Sequence, residues 1–291
     1  MDNNDILITT LSENKKIYGY LAITKNTAEQ AQKNHNMNII SSAIFCRALT
    51  ATVLLGGNLK NSKDILTLRW NCTGPVKSIL IETTGEGNVK GYIGNNNLQL
   101  IEDSIFDNTI KAEPYIGFGE LNVTRNSIDG KQPYSSVTVI ETGEIAEDIS
   151  LYLEQSLQIQ SAIKIGLSIN KDNQIEASGG LLLIAMPDAT EEDVKKIHSS
   201  FENIHSFTEI LNSNIEETEI IKKFLSDLKL EIISTKNIQF KCTCDENKIK
   251  GFLKTLKKEE FTEYITEEGK IDAECQYCGR KYSFSPQDLE N

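Results

Sequence analysis

The sequence predicts an α+β protein: a mostly antiparallel sheet core with packed helices, a helical linker, and a small C-terminal unit built on four cysteines. Three observations lead there. Residues 1–186 carry short alternating segments separated by Gly- and Pro-containing turns. Residues 187–231 change to apolar side chains at helical spacing under a surface dense in Glu and Lys. Residues 232–291 hold four of the six cysteines of the chain.

In the first region, "DILITT" and "KIYGYLAIT" alternate as strands. "IISSAIFCRALTATVLLGG" follows as a helix, with Gly56-Gly57 as its expected C-cap. This stretch carries Arg47 and several Ser and Thr, so it reads as a buried core helix; a bilayer span needs ~20 predominantly apolar residues. "ILTLRWNCTG", "VKSILIETT" and "NVKGYIG" are punctuated by Thr73-Gly74-Pro75 and Gly85-Glu86-Gly87, an antiparallel meander with one buried face. "GELNVTRN" and "YSSVTVIETG" add two strands, and Gly143 hands over to a helix from about Glu144 to Gln158. "SAIKIGLSIN" and "QIEASGGLLLIAMP" complete the region, with Gly179-Gly180 marking a bulge or a close approach.

The linker opens on a capping-box pattern, Thr190 three residues before Asp193. Val194, Ile197, Phe201, Ile204 and Leu211 then recur on one face of a helix, and His198 and His205 lie seven apart on it. A second helix is expected after Ser213, with Glu216 three residues on, presenting Ile220, Ile221, Phe224, Leu225 and Leu228. Such amphipathic helices need a partner surface. Either they are ordinary helices of the core, or they form a cover that can leave it. Beyond them, "ENKIKGFLKTLKKEEFTEYITEEGK" reads as one or two short helices ending near Gly269. "KIDAEC" and "KYSFS" read as strands flanking a turn.

The cysteines carry the chemistry. The N-terminus "MDNNDILITT" is acidic and lacks the basic and apolar stretches of a signal peptide, so a cytoplasmic location is expected. In a reducing compartment, clustered cysteines point to metal or redox chemistry before structural disulfides. Cys242-Thr-Cys244 and Cys275-Gln-Tyr-Cys278 supply four thiolates, the ligand set of a closed tetrahedral zinc site, one Zn2+ per chain. Four unrelated buried thiols would not fall in two close pairs. Every ligand in such a site is oxidisable, and disulfide formation removes the ligand set. A unit of this size buries little surface, whereas structural zinc supplies ~10–16 kcal/mol of apparent folding energy. Loss of metal should therefore unfold it.

Other candidates are weaker. Lys248, Lys250, Lys254, Lys257 and Lys258 read as a solvated helix face, or as cations placed beside an anionic zinc–thiolate centre. Cys46 and Cys72 sit in apolar contexts and read as core. His198 and His205 have no role once four cysteines satisfy the metal. The sequence has no P-loop, HExxH, GxSxG or dinucleotide fingerprint, so no enzyme is expected and no catalytic residue is assigned. Two rival readings are a zinc-ribbon protein binding nucleic acid or a translation component, and a thiol-disulfide oxidoreductase using Cys275 and Cys278. A net charge of −12 opposes the first by repelling phosphate. The second normally needs CxxC at a helix start beside a βαβ pattern, and none precedes Cys275.

Several segments together resemble one family. "LTLRWNCTGPVKSILIETTGEGNVKGYIGN", "VIETGEIAEDISLYLEQS", "EASGGLLLIAMPDATEED" and above all CxC…CxxC followed by "GRKYSFSPQDLE" are similar to the redox-regulated chaperones called 33 kDa chaperonin, or heat shock protein 33. Asp245 stands where that family often has Ser. The resemblance implies a core for dimerisation and client binding (1–186), a linker folded over it (187–231) and a C-terminal redox-switch domain (232–291), assembled as a homodimer. It implies a stress-response holdase that works without ATP and is inactive while reduced and zinc-bound. On oxidation, disulfides Cys242–Cys244 and Cys275–Cys278 would form, zinc would leave, and the C-terminal unit would unfold. Unfolding client proteins would then be held on apolar surface that includes the linker residues named above. Nothing in this picture uses a membrane, and the acidic surface would keep the opened protein dissolved.

Overall fold

The structure, a computed structural model, describes residues 4–106, 109–129, 132–213, 215–255 and 269–290. Lys257, Lys258 and the helical reading of 256–268 lie outside the described residues. The chain divides into two units, Met1–Phe240 and Lys241–Asn291.

Two antiparallel sheets build the first unit. Strands β1 (Ile6–Ser12), β2 (Ile17–Ile23), β10 (Ser161–Ile169), β11 (Ile175–Ala185) and β12 (Leu230–Asn237) form a five-stranded sheet in the order β10-β11-β2-β1-β12. Strands β3 (Ile65–Cys72), β4 (Ser78–Thr84), β5 (Asn88–Ile93), β8 (Gly119–Asn126), β9 (Tyr134–Ile140) and β13 (Gln239–Phe240) form a six-stranded sheet. Its order is β13-β5-β4-β3-β8-β9, and only β13 pairs in parallel. The short strands β6 (Ile105–Phe106) and β7 (Thr109–Ile110) pair with each other. Alternation does the sorting: Leu66, Leu68 and Trp70 on β3, Ile79 and Ile81 on β4, and Leu121 and Val123 on β8 all face one core.

Through that core runs α2 (Ile39–Gly56), whose N-terminus is capped by the Asn38 side chain accepting from the Ser41 N–H. By length and composition α2 could cross a membrane, yet 83% of it is buried inside the protein. It is a core helix, apolar on every side because protein surrounds every side. Helices α1 (Lys25–Asn34), α3 (Glu113–Ile116) and α4 (Ile145–Leu157) complete this layer. Gly179 and Gly180 make a close approach and no bulge: a Cβ on Gly180 would lie 2.8 Å from Leu54 and 3.0 Å from Thr50, both on α2. The register break in this hairpin falls elsewhere, at Ser168/Ile169.

The other face of the five-stranded sheet is covered by α5 (Glu191–Glu202), α6 (Phe207–Asn212), α7 (Glu217–Phe224) and a 3-10 turn, Ser226–Leu228. Ile8, Ile17, Leu21, Leu181 and Leu183 of the sheet form a second buried cluster with Ile197, Phe201, Ile204, Phe207, Ile210, Ile220, Ile221, Leu225 and Leu228. Polar pins hold α5 at both ends. At its start Thr190 and Asp193 make the full capping box, Asn14 donates to Asp193 at 2.9 Å, and Lys16 pairs with Asp188. At its end the Lys164 ammonium, on β10, donates to the carbonyls of Phe201 and Ile204, where orphan carbonyls favour a cation. Replacing Asp193 by Ala removes the cap acceptor and the Asn14 contact. It is expected to destabilise this layer by about 1 kcal/mol, read as a lower urea midpoint and faster amide exchange in 191–202.

Several expectations change. Gly57 does cap α2, but in a right-handed conformation (φ −57°); what requires glycine is the Tyr20 ring, 2.3 Å from where a Cβ would be. The single helix expected over 190–211 is two, because the chain turns at 203–206, so His205 does not share a helix with His198, and both are exposed. Ser213 ends α6, its hydroxyl donating to Ile210 at 2.6 Å, and α7 starts after Glu216. The unit expected to begin at 232 begins at Lys241: β12 pairs with β1 from Ile6↔Asn237 to Ser12↔Leu230, which ties residues 232–237 to the first unit.

The second unit holds α8 (Glu246–Leu253), the hairpin β14 (Ile271–Glu274) and β15 (Lys281–Phe284), and α9 (Pro286–Glu290). Its buried apolar cluster among the described residues is Leu253, Ile271 and Phe284.

Candidate metal centre

Two local structures present the four sulfurs. Cys275 directly follows β14, and its carbonyl accepts from the Cys278 N–H at 3.2 Å and the Gly279 N–H at 2.8 Å, while its own N–H donates to the Arg280 carbonyl at 2.9 Å. Gly279 sits at φ +68°, the left-handed conformation that lets this knuckle close. On the other side, Asp245 caps α8 by accepting from the Lys248 N–H at 2.9 Å. Lys248 folds back to the Thr243 carbonyl at 2.6 Å, and so pins the residue between Cys242 and Cys244.

All four sulfurs lie within 4.8 Å of one another. Cys242 and Cys275 are 3.8 Å apart, and Cys244 and Cys278 are 3.4 Å apart. A tetrahedron with metal–sulfur bonds of ~2.3 Å has sulfur–sulfur edges of about 3.8 Å. The donor set and its spacing therefore fit a zinc-like ion. Both of these contacts run between the two cysteine pairs, as expected of ligands gathered on one point.

The electrostatics agree. Burial raises the Cys242 thiol to about 11, with Cys275 opposing its ionisation further. Burial also raises Cys278. Burial works against Cys244 too, but hydrogen bonds from Tyr282, Cys278, Cys242 and Cys275 outweigh it and bring this thiol down to about 7. Without a cation the cluster accepts one negative charge readily and resists the next. A dication reverses that balance.

Tyr282 and Arg280 are the members of this site that sequence reasoning missed. The Tyr282 hydroxyl donates to Cys244 Sγ at 3.1 Å. The Arg280 charge acts on Tyr282, Cys244 and Cys278. So the role offered to the lysines after Cys244 has a clear holder in Arg280. The signal available was nearness in sequence: Arg280 and Tyr282 follow Cys278 within four residues.

The remaining candidates fall elsewhere. Cys46 is buried in a small cluster with Ala28 and Ile175, and Cys72 is partly buried against the main core; burial pushes both thiols up to about 12, which leaves them inert. Of the ten apolar linker residues, Ile197, Phe201, Ile204, Ile220, Ile221, Leu225 and Leu228 are buried against the five-stranded sheet. Val194, Leu211 and Phe224 are partly buried on the same cluster.

Fold and site together define a larger α+β body followed by a small unit gathered round four thiols. The family model described as Hsp33 protein matches residues 5–285. Relatives named 33 kDa chaperonin include those of Agathobacter rectalis, 29% identical with 99% of each chain covered, and Lactobacillus delbrueckii subsp. bulgaricus, 32% identical with 99% of this chain and 97% of the relative covered. The crystal structure of 33 kDa chaperonin (heat shock protein 33 homolog) from Thermotoga maritima superposes with a TM-score of 0.89 at 26% identity, covering 99% of this chain and 97% of that one. The chain belongs to the Hsp33 family, a family of chaperones.

Proposed function

We propose that this protein is a redox-regulated, ATP-independent holdase, not an enzyme, that acts in the cytoplasm as a homodimer and binds unfolding proteins under oxidative stress. The observation that carries this reading is the gathering of four sulfurs within 4.8 Å in a unit whose buried apolar core, among the described residues, is three side chains. When bound, zinc would hold all four sulfurs as thiolates and supply most of the unit's folding energy.

With peroxide as oxidant, one thiolate of a pair attacks a peroxide oxygen, the O–O bond breaks, and the sulfur becomes a sulfenic acid as hydroxide leaves. The second thiolate attacks that sulfur, closes the S–S bond and displaces another hydroxide. Each pair gives two electrons to one peroxide, and two protons from solvent turn the hydroxides into water. The pairs proposed are Cys242–Cys244 and Cys275–Cys278. The ligand set is then gone, and the unit loses its order. Fraying from Cys242 backwards meets β13, two residues long, and then β12, an edge strand. Behind them stand the linker helices, whose departure uncovers the apolar face of Ile8, Leu21, Leu181 and Leu183.

The oxidoreductase reading lacks its geometry: Cys275 and Cys278 sit between two strands of a hairpin, not at a helix start.

The test pairs zinc release, followed with a chromogenic chelator, with light scattering of a heat-denatured client. The reduced protein should carry one zinc per chain and leave aggregation unchanged. Peroxide with mild heat should release the zinc and then suppress aggregation, with both disulfides mapped by mass spectrometry. Equal protection by the two redox forms, or an oxidised protein that keeps its metal, would overturn the reading.

A further inference from the structure

Tyr282 stands on β15 and reaches the first cysteine pair, its hydroxyl donating to Cys244 Sγ at 3.1 Å. The ring is held in place, stacked on Phe284 with centroids 6.4 Å apart and planes 13° from parallel, and Phe284 is buried at the centre of the unit. Arg280 lies close enough for its positive charge to act on the Tyr282 hydroxyl and on the Cys244 and Cys278 sulfurs.

We propose that Tyr282, backed by Arg280, is a brake on the reactivity of Cys244 that sets how much oxidant the four-thiol cluster withstands before it opens. This rests on the reading of the cluster as a zinc-holding oxidant sensor. The argument is one of electron supply. Attack on peroxide uses a sulfur lone pair, breaks the O–O bond and turns the thiolate into a sulfenic acid as hydroxide leaves. The Cys242 thiolate then attacks that sulfur, closes the S–S bond and displaces a second hydroxide. A lone pair engaged with an O–H donor must surrender part of that bond as charge leaves sulfur. Hydrogen bonds to charged groups are among the strongest available, and thiolate nucleophilicity follows basicity with a slope of ~0.4–0.5. Removing the donor should therefore speed attack by Cys244 about three- to tenfold.

The test uses the full-length, zinc-loaded chain and two readouts. One is the rate of peroxide-driven zinc release. The other is the ratio of iodoacetamide alkylation at Cys244 to that at Cys242, resolved by peptide mass spectrometry, an internal comparison that a uniformly loosened site would leave unchanged. Tyr282→Phe should raise both by about three- to tenfold, and Arg280→Gln should raise both by less. Site-specific 3-fluorotyrosine at 282, a stronger donor of nearly the same shape, should lower both below wild type. A Phe variant with the wild-type ratio overturns the proposal. So does a fluorotyrosine variant that reacts as fast as the Phe variant, because ring packing alone would then be at work. If Tyr282→Phe fails to hold zinc, the fluorotyrosine arm decides. A wild-type protein that holds zinc but does not release it to peroxide overturns the sensor reading instead, and the alkylation ratio still judges the brake.

Discussion

Replacing Cys275 and Cys278 together by Ser is expected to abolish tight zinc binding and to unfold Lys241–Asn291 while Met1–Phe240 keeps its two sheets. The magnitudes decide it. The described core of the second unit is Leu253, Ile271 and Phe284, each contributing ~1.5–3 kcal/mol by burial. A structural zinc contributes ~10–16 kcal/mol, more than those three side chains together. Serine hydroxyls keep the size of the thiols but not their softness or acidity, so the site loses half of its ligand set. Wild type should carry one zinc per chain and the double variant none after dialysis against a weak chelator. Slowly exchanging amides in 271–284 should vanish, and those of β3, β4 and β8 should remain. If the variant unit stays as protected as wild type, metal is not what folds it. The same variant should also suppress client aggregation without any oxidant, because it mimics the end state of the proposed switch.

What was legible in the sequence follows from which side chains had one face to hide. The strands β3, β4 and β8 alternate because one face is core and the other is not, and α2 carries apolar side chains on every side, with a few Ser and Thr among them, because 83% of it is buried. The four cysteines were legible because their spacing has few other uses. Strand β12 was not. Its side chains are exposed on both faces, including Ile232 and Ile233 at 45% and 50%, so its period-two signal is absent and the nearby cysteines drew it into the wrong unit. The break between α5 and α6 was hidden for the opposite reason: Phe201, Ile204, Phe207 and Ile210 all face the sheet, so apolar spacing continues across a turn that interrupts the helix. Tyr282 and Arg280 act on the sulfurs through the folded hairpin, and only their nearness to Cys278 in the sequence hinted at it.

The linker is the second place where one substitution should have a large effect. Ile197→Asp is expected to make the reduced, zinc-loaded protein bind clients. Ile197 is fully buried between α5 and the sheet, in one cluster with Ile17, Leu21, Leu181 and Leu183. A carboxylate there forfeits the burial of an isoleucine, ~1.5–3 kcal/mol, and adds the larger penalty of an unpaired buried charge. The pins at the two ends of α5, Lys164 at its last carbonyls and Asn14 on Asp193, are too few to offset both. The helix is expected to undock, and the cheapest arrangement leaves the carboxylate in water and the sheet face open. Apolar dye binding and amide exchange in 191–228 should rise, client scattering should fall, and the zinc content should stay at one per chain. Lys195→Ala, on the exposed side of α5, should change stability by less than about 0.5 kcal/mol and leave the protein latent. The pairing of readouts matters here, because it separates two claims. If exchange shows α5 released and the protein still ignores its clients, the covered face of the five-stranded sheet is not where clients bind. If α5 is released and clients bind while zinc is retained, then the metal centre acts only through the cover, and the apolar face beneath the linker is the working surface of the chaperone.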